Sequence, residues 1–133
     1  MRTVIRATLS LALVVGAFIA TAAGPANAAT RTQMRPAANQ IYHVWATNVN
    51  LRANEANQVV CSNFPSTTNC PNIRQRVQPD HVLYVYCQKI GQKININPYW
   101  VLVNDFTQPN TGWLASYYID YPANRLPDVP DCP

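Results

Sequence analysis

All four cysteines of this chain, Cys61, Cys70, Cys87 and Cys132, lie downstream of a segment built like a secretory leader. An even number of cysteines in an exported chain reads as a disulfide framework, because an oxidising compartment pairs thiols that the cytosol keeps reduced. The leader has Arg2 and Arg6 first, then the apolar run Leu9 to Ala20, then small residues ending in Ala26-Asn27-Ala28. That order of charge, apolar core and cleavage site predicts a signal peptide over residues 1–28, cut after Ala28. A membrane anchor needs about 20 apolar residues, and this run dissolves sooner into Thr21, Gly24 and Pro25. With no cysteine placed for acylation and no hydrophobic C-terminal tail, the expectation is free release outside the cell, without stable membrane insertion after cleavage.

Removing 28 of 133 residues leaves 105, enough for one domain that buries about two thirds of its unfolded surface. Four cysteines allow three pairings. The stretch Ser62 to Asn69 is polar and turn-forming, so its ends meet readily, which favours Cys61 with Cys70 and leaves Cys87 with Cys132. On the chain-entropy model, loops of roughly ten and 46 residues contribute about 2.7 and about 4 kcal/mol. The longer bridge is expected to pin a Pro-rich tail, residues 122–133, that has too little apolar content to dock unaided. Zinc is disfavoured: there is no Cys-x-x-Cys pair, and His43 and His81 lie outside any ligand spacing. No cofactor is expected.

Loss of Arg2 and Arg6 lowers the formal charge from +4 to +2. A nucleic-acid binder clusters Lys and Arg on one face, whereas the nearest approach to a cluster here is Arg74 and Arg76, read as a solvated strand face. No nucleic-acid partner is expected.

Residues 29–40 have no hydrophobic period and read as a flexible arm. From Ile41 the pattern is short strands with turn chemistry between them. Trp45, Thr47, Val49 and Leu51 alternate with Ala46, Asn48, Asn50 and Arg52, a half-buried strand. Asn54 to Gln58 reads as loop, Val59-Val60 as extended, and Ile73 to Val77 as a short or edge strand. Gln78-Pro79-Asp80 signals a turn, and His81 to Cys87 is β-branched and aromatic throughout, a strand expected to be buried on both faces. Ile90-Gly91-Gln92 reads as a turn with Lys93 to Ile96 pairing back, and Asn97-Pro98 as a break. Trp100 to Val103 and Gly112 to Leu114 are strands flanking a hairpin loop, and Ala115 to Tyr118 a short turn. No 11-residue window keeps an apolar helical period, so the fold class is all-β, a small barrel or sandwich.

Two stretches resemble the ends of bacterial SH3-like (SH3b) domains. Asn48-Val49-Asn50-Leu51-Arg52 is similar to their opening strand, and Gly112-Trp113-Leu114-Ala115-Ser116-Tyr117-Tyr118-Ile119 to their closing element. The resemblance spans about Val44 to Tyr121, with Val82 to Cys87 and Trp100 to Val103 where that family places its central strands. It departs at Gln78-Pro79-Asp80-His81, where the family has Gly, and at Ala53-Asn54-Glu55-Ala56, which lacks the common Ser-Gly-Pro. What it implies is an SH3-like barrel of five to six short strands over residues 41–121, expected here to stand alone and to be stapled by the two disulfides read from the cysteine count. The implied function is a non-catalytic module binding cell-wall peptidoglycan peptide or another extracellular ligand. The family's groove maps onto Arg52, Asn54, Glu55, Tyr99, Trp100, Tyr117 and Tyr118.

A groove for peptide or glycan needs aromatic faces and a few placed polar groups. Trp45, Trp100 and Trp113 sit in strand sequence, where core packing is the simpler role. Tyr117 and Tyr118 are neighbours in a turn, so at least one should meet solvent. Glu55 and Asp105 read as loop acids able to hold a cationic amine, or merely solvated. Catalysis finds little support, with neither histidine in a recognisable constellation, the thiols oxidised and no paired acids. Three classes therefore stand: a secreted binding module; a secreted protein-interaction or protease-inhibitor-like protein presenting the Cys61 to Cys70 loop with Phe64-Pro65 at its tip; and a small hydrolase, which would need His81 or His43 facing a pocket beside an acid or hydroxyl.

Overall fold

Alternating valine and leucine side chains build the inner face of a curled sheet. The structure is a computed structural model that describes residues 40–133; the leader, 1–28, and the arm up to residue 39 lie outside the described residues. Six strands form one antiparallel sheet rolled into a half-barrel: β1 (Ile41–Tyr42), β2 (Val49–Ala53), β3 (Asn72–Val77), β4 (Leu83–Ile94), β5 (Asn97–Asp105) and β6 (Asn110–Ala115). Their order across the sheet is β1-β4-β5-β6-β2-β3. The register sets Val85 opposite Val103, Val101 opposite Leu114 and Val49 opposite Val77, so one face delivers the core, joined by Leu51, Leu83 and Ile119. Both expected bridges are present, Cys61–Cys70 and Cys87–Cys132, each with Cα atoms 5.0 Å apart.

Several local expectations fail for identifiable reasons. The strand expected from Trp45, β2, begins only at Val49, because Asn48 takes a left-handed φ of 57° and turns the chain. The segment from His81 to Cys87 is buried on one face only: Leu83 and Val85 point in, while Tyr84 is half-buried and Tyr86 is exposed. β4 runs straight through Gly91, and the turn falls at Asn95-Ile96, where Asn95 adopts φ 52°. β5 starts at Asn97, where a break was expected.

Gly91 stays extended because the Cys61 to Cys70 segment lies on it. A Cβ there would stand 2.2 Å from the Pro65 carbonyl oxygen and 2.8 Å from Trp100 Cδ1. That close approach lets Gln92 N donate to Pro65 O at 2.8 Å. The segment covers a second core on the outer face of the sheet, made of both its cysteines with Trp100, Trp113 and Ala115.

Val59-Val60 is helical, not extended: α1 spans Gln58–Asn63. Its β-branched residues are poor helix formers, but Asn57 caps it, its Oδ1 accepting from Val60 N at 3.2 Å, and Asn54 Oδ1 accepts from Asn57 N at 2.7 Å.

The Pro-rich tail is part of the core. Leu126 and Val129 are buried with the main cluster. The side chain of Gln88, fully buried on β4, donates to Leu126 O (2.9 Å) and Val129 O (2.7 Å) and accepts from Leu126 N (2.9 Å). Backbone bonds Gln88 N to Pro130 O and Cys132 N to Gln88 O add the tail to the β4 edge. β1 covers the other end of that edge through Leu83 and Tyr84. An otherwise open strand edge is thereby closed to stray pairing.

Candidate functional site

The segment before β2 folds against the 3₁₀ turn Ser116–Tyr118 that follows β6. Val44 bridges Ile119, Asp120 N donates to His43 O at 2.9 Å, and Trp45 N donates to Tyr118 O at 3.0 Å. The indole Nε1 of Trp45 donates to Tyr117 O at 2.9 Å, which fixes the ring. Three aromatic rings therefore meet at the surface. Centroids of Trp45 and Tyr117 are 5.7 Å apart, of Trp45 and Tyr118 5.9 Å, and of Tyr117 and Tyr118 5.1 Å. Trp45 remains 53% exposed. Of the three tryptophans assigned to core packing, Trp100 and Trp113 are in it and Trp45 is not.

Beside the rings lies a cleft of about 180 Å³ lined by Asn48, Asn50, Arg52, Thr67, Trp100 and Tyr118, among others. Asn50 Oδ1 is shielded from solvent there without a hydrogen-bond partner, an acceptor that a ligand donor would satisfy. Asn48 is held by Gln78, whose Nε2 donates to Asn48 Oδ1 at 2.9 Å and whose Oε1 accepts from Asn48 N at 3.2 Å.

The seven residues expected to form the groove separate. Arg52, Trp100 and Tyr118 share this cleft, although Trp100 is 2% exposed and contributes only wall. Tyr117 joins through the ring cluster. Asn54 lines a neighbouring cleft, where its amide braces the loop by donating to Asn69 O at 2.8 Å. Glu55 is exposed on its loop and lines none of these clefts; its backbone N–H donates to Asn72 Oδ1 at 3.0 Å. Tyr99 lines a different cleft with Lys89, Ile90 and Arg125. Trp45 and Asn50 were not among the seven. The one signal for Trp45 was Asn48, a residue type that tolerates left-handed backbone and so ends a strand.

Asp105, read as an exposed loop acid, is completely buried. Its Oδ1 accepts from Thr107 N (2.8 Å) and Gln108 N (3.2 Å), holding the β5–β6 turn, and its Oδ2 accepts from Gln75 Nε2 and lies 2.5 Å from His81 Nδ1. His81 is buried too, and its carbonyl faces His43 Nδ1 at 2.8 Å. The pairing of His81 with an acid meets half of the condition set for a hydrolase, but neither histidine lines any of the three clefts described. With all its acceptor positions engaged, Asp105 fastens β3, the His81 segment and the hairpin together.

No protein-family model, no curated protein and no solved structure matches this chain.

Proposed function

We propose that the chain is a secreted, non-catalytic binding module whose ligand, a peptidoglycan peptide or glycan of the cell wall, lies across Trp45, Tyr117 and Tyr118. The observation that carries this reading is the ring cluster, with Trp45 exposed and Tyr117 and Tyr118 half-buried, beside a polar cleft containing an unsatisfied amide oxygen. Aromatic faces cover the apolar side of a sugar or peptide, while Asn50 and Arg52 supply the few directed bonds that orient it. The leader-like N-terminus and two disulfides support export into an oxidising space. SH3-like resemblance at Asn48 to Arg52 and Gly112 to Ile119 supports the same ligand class. The test is co-sedimentation with purified peptidoglycan. Wild type is expected to pellet, and Trp45→Ala and the double change Tyr117→Ala/Tyr118→Ala to stay in solution. Wild type remaining in the supernatant would rule out cell-wall binding, and undiminished pelleting of Trp45→Ala would rule out the ring platform.

A protein-interaction or protease-inhibitor-like role has one observation in its favour. Within and beside the bridged segment, Val59, Val60 and Phe64 are exposed on and just after α1, although Pro65 is buried and not at a tip. On that reading Phe64→Ser abolishes inhibition of an extracellular serine protease such as a subtilisin, and Trp45→Ala leaves it intact. A wild-type protein that inhibits no protease removes the inhibitor form of this reading.

A further inference from the structure

The seam between β2 and β6 has a single paired position, Arg52 opposite Trp113. Across β2, the β-bulge between Leu51 and Arg52 leaves Arg74 of β3 without a cross-strand partner. Arg74 instead reaches over the seam, its Nη1 donating to Thr111 O at 2.7 Å. Arg52 Nη1 donates to Cys70 O at 3.3 Å. Arg52 and Arg74 both line a cleft of about 220 Å³ whose other walls include Gln58, Ser62, Leu102 and Trp113. Arg74 was expected on a solvated strand face; Arg76 is exposed, but Arg74 is half-buried in this cleft.

Two cations share this space, and among the described residues no acid lines the cleft. Among the described residues the ion pairs are His81 with Asp105 and Arg125 with Asp131. The positive charge is local, since residues 40–133 hold six Lys and Arg against six Asp and Glu. Each guanidinium has five N–H donors in a fixed fork, and each gives one bond to a protein carbonyl here. An anion that accepts the remaining donors would be held by charge-assisted hydrogen bonds, stronger than those between neutral groups. Fork geometry matches a carboxylate's two oxygens. Among the described residues the side chains of Gln58 and Ser62 have no hydrogen-bond partner, and they stand at the same cleft, while Leu102 and Trp113 offer it apolar wall. Its volume lies below the roughly 300–1,000 Å³ of drug-sized pockets, so it suits an end group and not a run of chain.

We propose that the Arg52–Arg74 cleft binds the carboxylate of a peptide C-terminus or acidic sugar, as a second site beyond the ring platform. Arg74 lines this cleft and not the one beside the rings, so the two sites can be tested apart.

The experiment is an NMR titration of the purified protein, following the Trp113 indole N–H and the Arg74 Nε–H. The probes are N-acetyl-alanyl-alanine, its C-terminal amide, and glucuronic acid. The free-acid peptide is expected to shift both signals saturably and the amide to leave them in place; saturation by glucuronic acid alone keeps the site and assigns it to acidic sugars. Arg74→Gln, which removes the charge and keeps a polar side chain on β3, is expected to weaken binding at least about tenfold. Ser62→Glu, an exposed change on α1 that leaves the seam untouched, is expected to abolish it by setting a carboxylate at the cleft. Equal shifts from acid and amide, no saturable shift from either acid, or wild-type affinity in Ser62→Glu would overturn the proposal. Peptidoglycan pelleting is expected to survive Arg74→Gln, so loss of the ring-platform reading and loss of this one give different results.

Discussion

Replacing Gln88 with alanine should detach the C-terminal tail. Its side chain is fully buried and spends all three of its hydrogen bonds on that tail, two to the carbonyls of Leu126 and Val129 and one from the Leu126 N–H. Truncation leaves three buried backbone groups without partners, each costing about 1–3 kcal/mol, and opens a cavity as well. Partial rehydration offsets some of this, so a loss on the order of 4 kcal/mol is expected, a large share of the 5–15 kcal/mol that holds a typical domain folded. The molecule has a less damaging exit. Cys132 is tethered to Cys87, so the segment carrying Leu126 and Val129 can lift away while the sheet persists. Urea unfolding followed by tryptophan fluorescence reads the global loss. Amide exchange at Leu126 and tryptic cleavage after Arg125 read the local one, and both should accelerate in Gln88→Ala before the sheet unfolds. A variant within about 1 kcal/mol of wild type, with Leu126 exchange unchanged, would refute the reasoning, because three buried bonds cannot vanish without either effect.

Gly91→Ala should destabilise the fold by about 3 kcal/mol, since its Cβ meets the Pro65 backbone and the Trp100 ring, both held in the second core; a melting temperature matching wild type would show that the strand yields freely. Alkaline stability should depend on Tyr42, whose pKa is raised above 10.0 by burial first and then by Tyr121 and Asp128. A folded-state pKa above the unfolded value means that its contribution is whole below pH 10 and is lost as pH rises through the folded value. Tyr42→Phe should therefore lose less stability than wild type above pH 10, read as urea midpoints against pH, and parallel curves would discount the residue.

The strands that proved legible are those bounded by turn residues: Ile73 to Val77, Trp100 to Val103 and Gly112 to Leu114 all lie within observed strands. Misreadings cluster where a long-range contact overrides a local preference. Gly91 looked like a turn because glycine commonly makes one, yet it is extended so that the bridged segment can pass close above it. Val59-Val60 looked extended by β-propensity, and an asparagine cap with a neighbouring disulfide made it helical. Of the candidate site, the Tyr117-Tyr118 turn was readable as surface. Trp45 was hidden, since an aromatic in an alternating run reads as core until the φ of Asn48 shows that the strand has not begun.

From the residues alone came the all-β class, the one disulfide connectivity favoured among three, and the polar turns, because alternation, turn chemistry and loop closure are local properties. Tertiary structure decided where Asp105 is buried, how the tail enters the core through Gln88, and that Arg52 and Arg74 share one cleft. Each of those depends on segments tens of residues apart meeting in space, and the curl of the sheet brings them together. A charge or amide changes meaning with its surroundings: the same carboxylate is a solvated loop acid in water and a structural fastener once four donors close around it.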